Sequence, residues 1–228
     1  MKKVIGIVPK GVLFDMEKSN TTDLYHLGNN YIKRITEAGG IPMGLAPVDG
    51  RISQEQMELC DGFVVQGGTQ MWPYHMQVLH HAVTTGKKYL GICLGMQMIH
   101  RYYKMRKMAE ELGMEGPADE AIIDLYYNQN KGHNLLHKIE GHTSTSMPRG
   151  QEDTVKHDVD VVPGTVLHRL LGRDLARGAS FHHWRVEDPV EELTVNAWSV
   201  DGTNTIEVLF KEAEPTNAVV TVDNKTED

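Results

Sequence analysis

Cys93 sits in Gly91-Ile92-Cys93-Leu94-Gly95, between an apolar run, Lys88 to Ile92, and a long amphipathic stretch. Gly-x-Cys-x-Gly after a strand and before a helix has the form of a nucleophile elbow, with Cys in place of Ser. The tight turn presents the thiol on a strained backbone, and the flanking glycines avoid clashes there. The start of the following helix carries partial positive charge, which favours a thiolate. A thiolate so placed attacks an acyl carbon, and the Leu94 backbone N–H can help bind the oxyanion that forms. Gly67-Gly68 ends the preceding strand, and a backbone N–H there is a second candidate donor. A Gly-Gly pair alone also reads as a simple tight turn. Its weight comes from lying one strand–helix unit before Cys93. Most cysteines are buried and inert, and Cys60, just before the Asp61-Gly62 turn, is read that way.

A cysteine nucleophile needs a base, usually a histidine oriented by a carboxylate. The candidates by neighbourhood are His182 and His183, in Ser180-Phe181-His182-His183-Trp184 with Glu187 and Asp188 nearby. His157, in an alternating stretch, is a third. Spacing does not choose among them, and any single histidine reads equally as a surface or satisfied core residue.

The elements that must position these groups alternate. Val4 to Val8 is a strand. A helix is predicted from Thr22 to Ala38, with Leu24, Leu27, Tyr31, Ile35 and Ala38 on one face, ended by Gly39-Gly40. Ile41 to Leu45 is a second strand, Ser53-x-x-Gln56 a capping box, and Phe63 to Val65 a buried strand. A helix follows from Tyr74 to Thr85, stopped by Gly86, then the strand Lys88 to Ile92 and a helix from Leu94 to Leu112. This alternation predicts a parallel sheet with helices on both faces. Ligands of such sheets sit at the carboxyl ends of the strands, where both Gly67-Gly68 and Cys93 fall. Residues 113–151 read as an irregular excursion holding one short helix, Asp119 to Tyr127. Val155 to Val162, Gly178 to Phe181, Leu193 to Trp198, Thr205 to Phe210 and Ala218 to Val222 read as strands. With no repeat and no low-complexity linker, a single domain over 1–228 is expected.

Composition sets outer limits. The chain has 228 residues, a net charge of -8 and no basic cluster, which argues against a nucleic-acid partner. No apolar run reaches the length of a membrane span, and Met1 to Ile7 is too short an apolar stretch for a signal peptide. Two cysteines without any mark of secretion suggest free thiols and a cytoplasmic location. The 12 histidines include no His-x-x-x-His pair on a predicted helix, so neither a metal nor another cofactor is expected.

Gly-Ile-Cys-Leu-Gly-Met-Gln at 91–97 resembles the signature of class I glutamine amidotransferases. Within them the chain most resembles the γ-glutamyl-γ-aminobutyrate hydrolase branch, of the peptidase C26 type. Tyr31 with Ala38-Gly39-Gly40-Ile41-Pro42, Asp61-Gly62-Phe63 with Gly67-Gly68 and Pro73, His157-Asp158-Val159, Ser180-x-His182-His183, and Asp201-Gly202 with Ile206-Glu207 follow the family in the same order. The resemblance implies a flavodoxin-like, three-layer α/β sandwich with a mostly parallel central sheet. It implies that Cys93 attacks a γ-glutamyl amide and forms a γ-glutamyl thioester, that Gly68 and Leu94 hold the oxyanion, and that Gln97 holds the glutamyl part. Water then releases glutamate.

The sequence also departs from that pattern. After the predicted strand Ala218 to Val222, Lys225 stands where the family places its histidine, and Glu227 alone is of the expected type. Gln70 replaces a frequent Asp. Three readings follow: a thiol hydrolase of γ-glutamyl amides with His182 or His183 as base, a binding or regulatory homologue without the chemistry, or a glutaminase subunit. The expected partner is a small γ-glutamyl substrate. A homodimer is compatible with the sequence, and a separate synthetase is the partner the third reading would need.

Overall fold

The computed structural model describes residues 1–12, 24–68, 71–114, 116–117, 121–123, 136–138, 156–179, 184–186, 190–200 and 206–210. The chain forms two compact units, Met1–Gln129 and Asn130–Asp228.

The first unit is built on strands β1 (Val4–Val8), β4 (Ile41–Gly44), β5 (Gly62–Val65) and β6 (Lys88–Gly91). They form an all-parallel sheet in the order β4-β1-β5-β6. The direction of chain progression reverses between β1 and β5, which makes their carboxyl ends the switch point where such sheets take ligands. Alternation along β5 divides the core. Val64 packs with Ile7 and with Ile35 of helix α1 (Asn29–Glu37), joined by Ile5, Leu27, Tyr31 and Ile32. Phe63 and Val65 point the other way. The Phe63 ring meets His81 of helix α3 (Pro73–Thr85) edge-on, and the Val65 side chain abuts Gly95 in helix α4 (Leu94–Leu112). Helices therefore cover both faces, and the unit is the three-layer α/β arrangement that alternating strands and helices predict.

The predicted first helix needs correction. The helix expected from Thr22 begins only at Asn29. Leu24–His26 is instead strand β3, paired antiparallel with β2 (Lys10–Val12). The cause is the buried amide of Gln66. Its Oε1 accepts the Gly28 N–H at 2.7 Å, and its Nε2 donates to the carbonyls of Val8 at 2.8 Å and His26 at 3.3 Å. Backbone groups held this way are not free to continue a helix towards the N-terminus. Leu27 still reaches the Ile7–Ile35–Val64 cluster, so the apolar spacing is used, but from an extended segment. The edge-on contact of Tyr25 with Tyr74 and the Tyr74 O–H bond to the Pro9 carbonyl at 3.0 Å fasten the hairpin.

The capping box is half formed. Ser53 accepts the Gln56 N–H at 3.4 Å, opening helix α2 (Gln54–Glu58). The Gln56 side chain does not return to Ser53. It exchanges two hydrogen bonds with the Ala46 backbone, at 2.8 and 3.0 Å, and so ties the β4–α2 loop.

The second unit holds an antiparallel sheet in the order β12-β11-β8-β9, from Ile206–Phe210, Thr194–Ser199, Lys156–Val161 and Leu175–Ala179. The strand expected at Gly178 to Phe181 overlaps Leu175–Ala179, which pairs with β8 from Lys156↔Ala179 to Asp160↔Leu175; Ser180 and Phe181 lie outside the described residues. A helix at Val166–Leu171, absent from the sequence reading, sets Leu167 into a core of Val159, Val161 and Ala197. Its first turn is anchored by buried Asn196, whose Oδ1 accepts the Leu167 N–H at 3.0 Å. Two further strands, β7 (Leu136–Lys138) and β10 (Trp184–Val186), pair antiparallel. Residues 121–123 are helical, within the short helix expected at Asp119 to Tyr127. The strand expected at Ala218 to Val222 lies outside the described residues. Among the described residues no helix is long and apolar enough to cross a membrane.

His75 gives the first unit an acid sensitivity. It is buried, its Nδ1 accepts the Trp72 N–H at 3.0 Å, and burial drives its pKa down to about 4. The unfolded chain takes up this proton near pH 6.5, so the stability is present above that pH and lost as pH falls towards 4. The shift corresponds to about 3 kcal/mol. Chemical denaturation between pH 7 and pH 4 is expected to show that loss, and His75→Gln to flatten it.

Candidate active site

The turn after β6 is shaped by three backbone approaches. Cys93 has φ 55° and ψ −113°, a left-handed conformation that side chains rarely adopt and that costs about 1–3 kcal/mol. Both flanking glycines are sterically required. A Cβ on Gly95 would collide with the Val65 carbonyl, and a Cβ on Gly91 with the backbone of Gly95. The Val65 carbonyl also accepts the Ile92 N–H at 3.1 Å. The start of α4 is thereby pressed against the end of β5, and Cys93 is lifted out of the regular path between strand and helix. The Cys93 carbonyl then accepts from the Met96 and Gln97 N–H groups at 3.0 and 3.2 Å, opening the helix.

At the sulfur, the backbone N–H groups of Leu94 and Gly68 favour the thiolate, but burial outweighs them and the Cys93 pKa is raised. The N–H at the helix start acts in favour of the thiolate, but desolvation is the larger effect. Gly68 and Leu94, both named from the sequence, lie together here: a Cβ on Gly68 would be 3.3 Å from Leu94 Cδ2. The alkyl chain of Lys10 borders the same point, with Cδ at 3.6 Å. Gly67 is differently employed. Its N–H donates to Tyr31 Oη at 3.1 Å, leaving Gly68 as the glycine whose N–H faces the sulfur. Gln97 is buried in the first turn of α4. Cys60 is free, as is Cys93, and burial pushes its thiol up to about 11. It donates to the Gln56 carbonyl at 3.4 Å and packs against Gly6, as a core residue does.

His157 lies on β8 of the second unit, with Nδ1 3.0 Å from the Asp158 carbonyl. His182, His183, Gln70, Lys225 and Glu227 lie outside the described residues. Among the described residues no three His, Cys, Asp or Glu side chains converge as a metal site requires.

Tyr31 and Gln66 border this site and were not singled out for it from the sequence. Tyr31 reads as one apolar tooth of a helix stripe, and nothing local reveals where its hydroxyl ends. Gln66 carried a usable signal: a lone amide closing the buried run Phe63-Val64-Val65, directly before Gly67-Gly68.

The family model of peptidase C26 matches residues 3–82 and 126–223, well over half of the chain. This protein belongs to the peptidase C26 family. The matched stretches leave out 83–125, so the strained turn at Cys93 stands as an observation separate from the match. No curated protein matches the chain. Among solved structures, a candidate GMP synthase subunit from Thermoplasma acidophilum is similar over 94% of this chain and 81% of its own, at 16% identity and a TM-score of 0.51. A glutamine amidotransferase from Thermotoga maritima is similar over 91% of this chain and 70% of its own, at 14% identity and a TM-score of 0.51. The C26 chain thus has the fold of the glutamine amidotransferases.

The strained residue makes a stability prediction for this C26 member. Cys93→Gly relieves the left-handed backbone, whereas Cys93→Ala keeps it. Set against the entropy that glycine costs, about 0.5–1 kcal/mol, the glycine variant is expected to melt about 2–4 °C above the alanine variant. Paired thermal melts check the difference.

Proposed function

We propose that this protein is a thiol hydrolase of γ-glutamyl amide bonds, with Cys93 as nucleophile. The observation that carries the reading is the strained Cys93 with the Gly68 and Leu94 N–H groups at its sulfur. Donors beside the nucleophile suit an oxyanion formed one bond further out. Membership of peptidase C26 and the amidotransferase fold support the same class of chemistry.

In this reading the Cys93 thiolate adds to the amide carbon, and the carbonyl oxygen takes up the electron pair. The C–N bond breaks as the amine leaves with a proton, and a γ-glutamyl thioester remains. Water adds to the thioester, the C–S bond breaks, and glutamate departs. Leu94 and Gly68 donate to the oxyanion in both steps, and Gln97 is assigned to the glutamyl part. Because burial raises the Cys93 thiol, this reading assigns a base to take its proton. His182 or His183 is proposed for this, with His157 the third candidate. Such a base contributes about 10²–10⁴-fold.

The raised thiol also favours a second reading, a homologue that binds γ-glutamyl compounds without turning them over. One assay separates the two. Glutamate release from glutamine and γ-glutamyl amines is expected for the wild type, rising with pH as Cys93 ionises. It should fall at least about 10³-fold in Cys93→Ala. Binding without release supports the second reading, and equal rates in the two proteins would remove the first.

A further inference from the structure

We propose that Tyr31 is a positioning residue for the Cys93 site: its hydroxyl holds the Gly67 N–H and so fixes the Gly67-Gly68 turn with the Gly68 N–H on the Cys93 sulfur. The hydrogen bond is 3.1 Å long. A Cβ built on Gly67 would lie 3.4 Å from Tyr31 Oη and 3.3 Å from Cys93 Cβ, so the phenol and the nucleophile flank the same side of Gly67. Burial raises the Tyr31 pKa and outweighs the opposing effect of the Gly67 N–H. Tyr31 is therefore a neutral phenol at ordinary pH, suited to hydrogen bonding and not to taking the thiol proton.

The turn has a reason to need such a restraint. Two successive glycines form the least self-determined backbone in a protein, and rotation of one peptide unit would turn the Gly68 N–H away from the sulfur. The restraint is a closed circuit. Gln66 Oε1 accepts the Gly28 N–H at 2.7 Å, the Gly28 carbonyl accepts the Tyr31 N–H at 3.1 Å, and Tyr31 Oη accepts the N–H of Gly67, the residue next to Gln66. The loop that carries the donor thus also anchors the helix that holds it still. The ring of Tyr31 packs on the Ile7–Ile35–Val64 core, which fixes the far end of the lever.

Tyr31→Phe keeps the ring and its packing and deletes only the acceptor. Three readouts test the proposal. The pH midpoint of Cys93 alkylation by iodoacetamide, followed on the Cys93 peptide by mass spectrometry, is expected to move upwards, because a donor that favours the thiolate is no longer held in place. The kcat for γ-glutamyl hydrolysis is expected to fall at least about 10-fold with KM nearly unchanged. In the wild type, the Gly67 amide is expected to exchange slowly with solvent deuterium. An unchanged alkylation midpoint in a folded Tyr31→Phe protein would overturn the proposal, as would fast exchange of the Gly67 amide in the wild type. The kinetic readout rests on the hydrolase reading. The alkylation and exchange readouts do not, so absence of turnover in the wild type would sink that reading and leave Tyr31 to be decided by the other two. Should Tyr31→Phe fail to fold, the exchange measurement decides alone.

Discussion

The carbonyl of Val65 is the point on which the site is built. It accepts the Ile92 N–H and lies against Gly95 so closely that no side chain fits at that position. That approach brings the start of α4 over the end of β5 and leaves Cys93 the left-handed conformation between them. Neither glycine of the motif serves flexibility: both are absences of a Cβ where backbone meets backbone. Around the turn Val65 lies against Gly95 and Ile99 against Gly91, both buried and each contributing about 1.5–3 kcal/mol by its burial. A stable sheet-and-helix core thus supports one uncomfortable residue at the place where reactive groups of such folds gather.

The consequence for chemistry is a tension between shape and solvation. The strained turn at Cys93 brings two backbone amides to the sulfur, yet the same enclosure removes water and raises the thiol. Cys60 shows what burial does to a core thiol, which is pushed up to about 11. Access to a proton acceptor decides how Cys93 behaves.

What was legible in the sequence was local. The four parallel strands, α3, α4 and the elbow each have their cause within a few consecutive residues: an apolar run, a helix-ending glycine, a glycine on either side of Cys93. The errors arose where a distant group decided. Leu24 to His26 has helical spacing with Tyr31 and Ile35, but Gln66, about 40 positions away, takes the backbone bonds that a helix there would have used. Gln56 fits the capping-box pattern, but the Ala46 backbone offers it two bonds in place of one. The role of the Tyr31 hydroxyl was invisible for the same reason, since its partner Gly67 lies 36 residues on. The sequence marked Cys93, Leu94 and Gly68, which lie close together in the structure, and left unread the two side chains that hold the turn.

The central claim is that Cys93 is the nucleophile of a γ-glutamyl site. The most direct test is covalent capture with a glutamine analogue that carries a diazoketone in place of its amide, read by peptide mass spectrometry. The account predicts one adduct, on Cys93, suppressed by excess glutamate and absent from Cys60. Failure of the analogue to label Cys93 while a small alkylating agent still does, or equal labelling of Cys60, would contradict it.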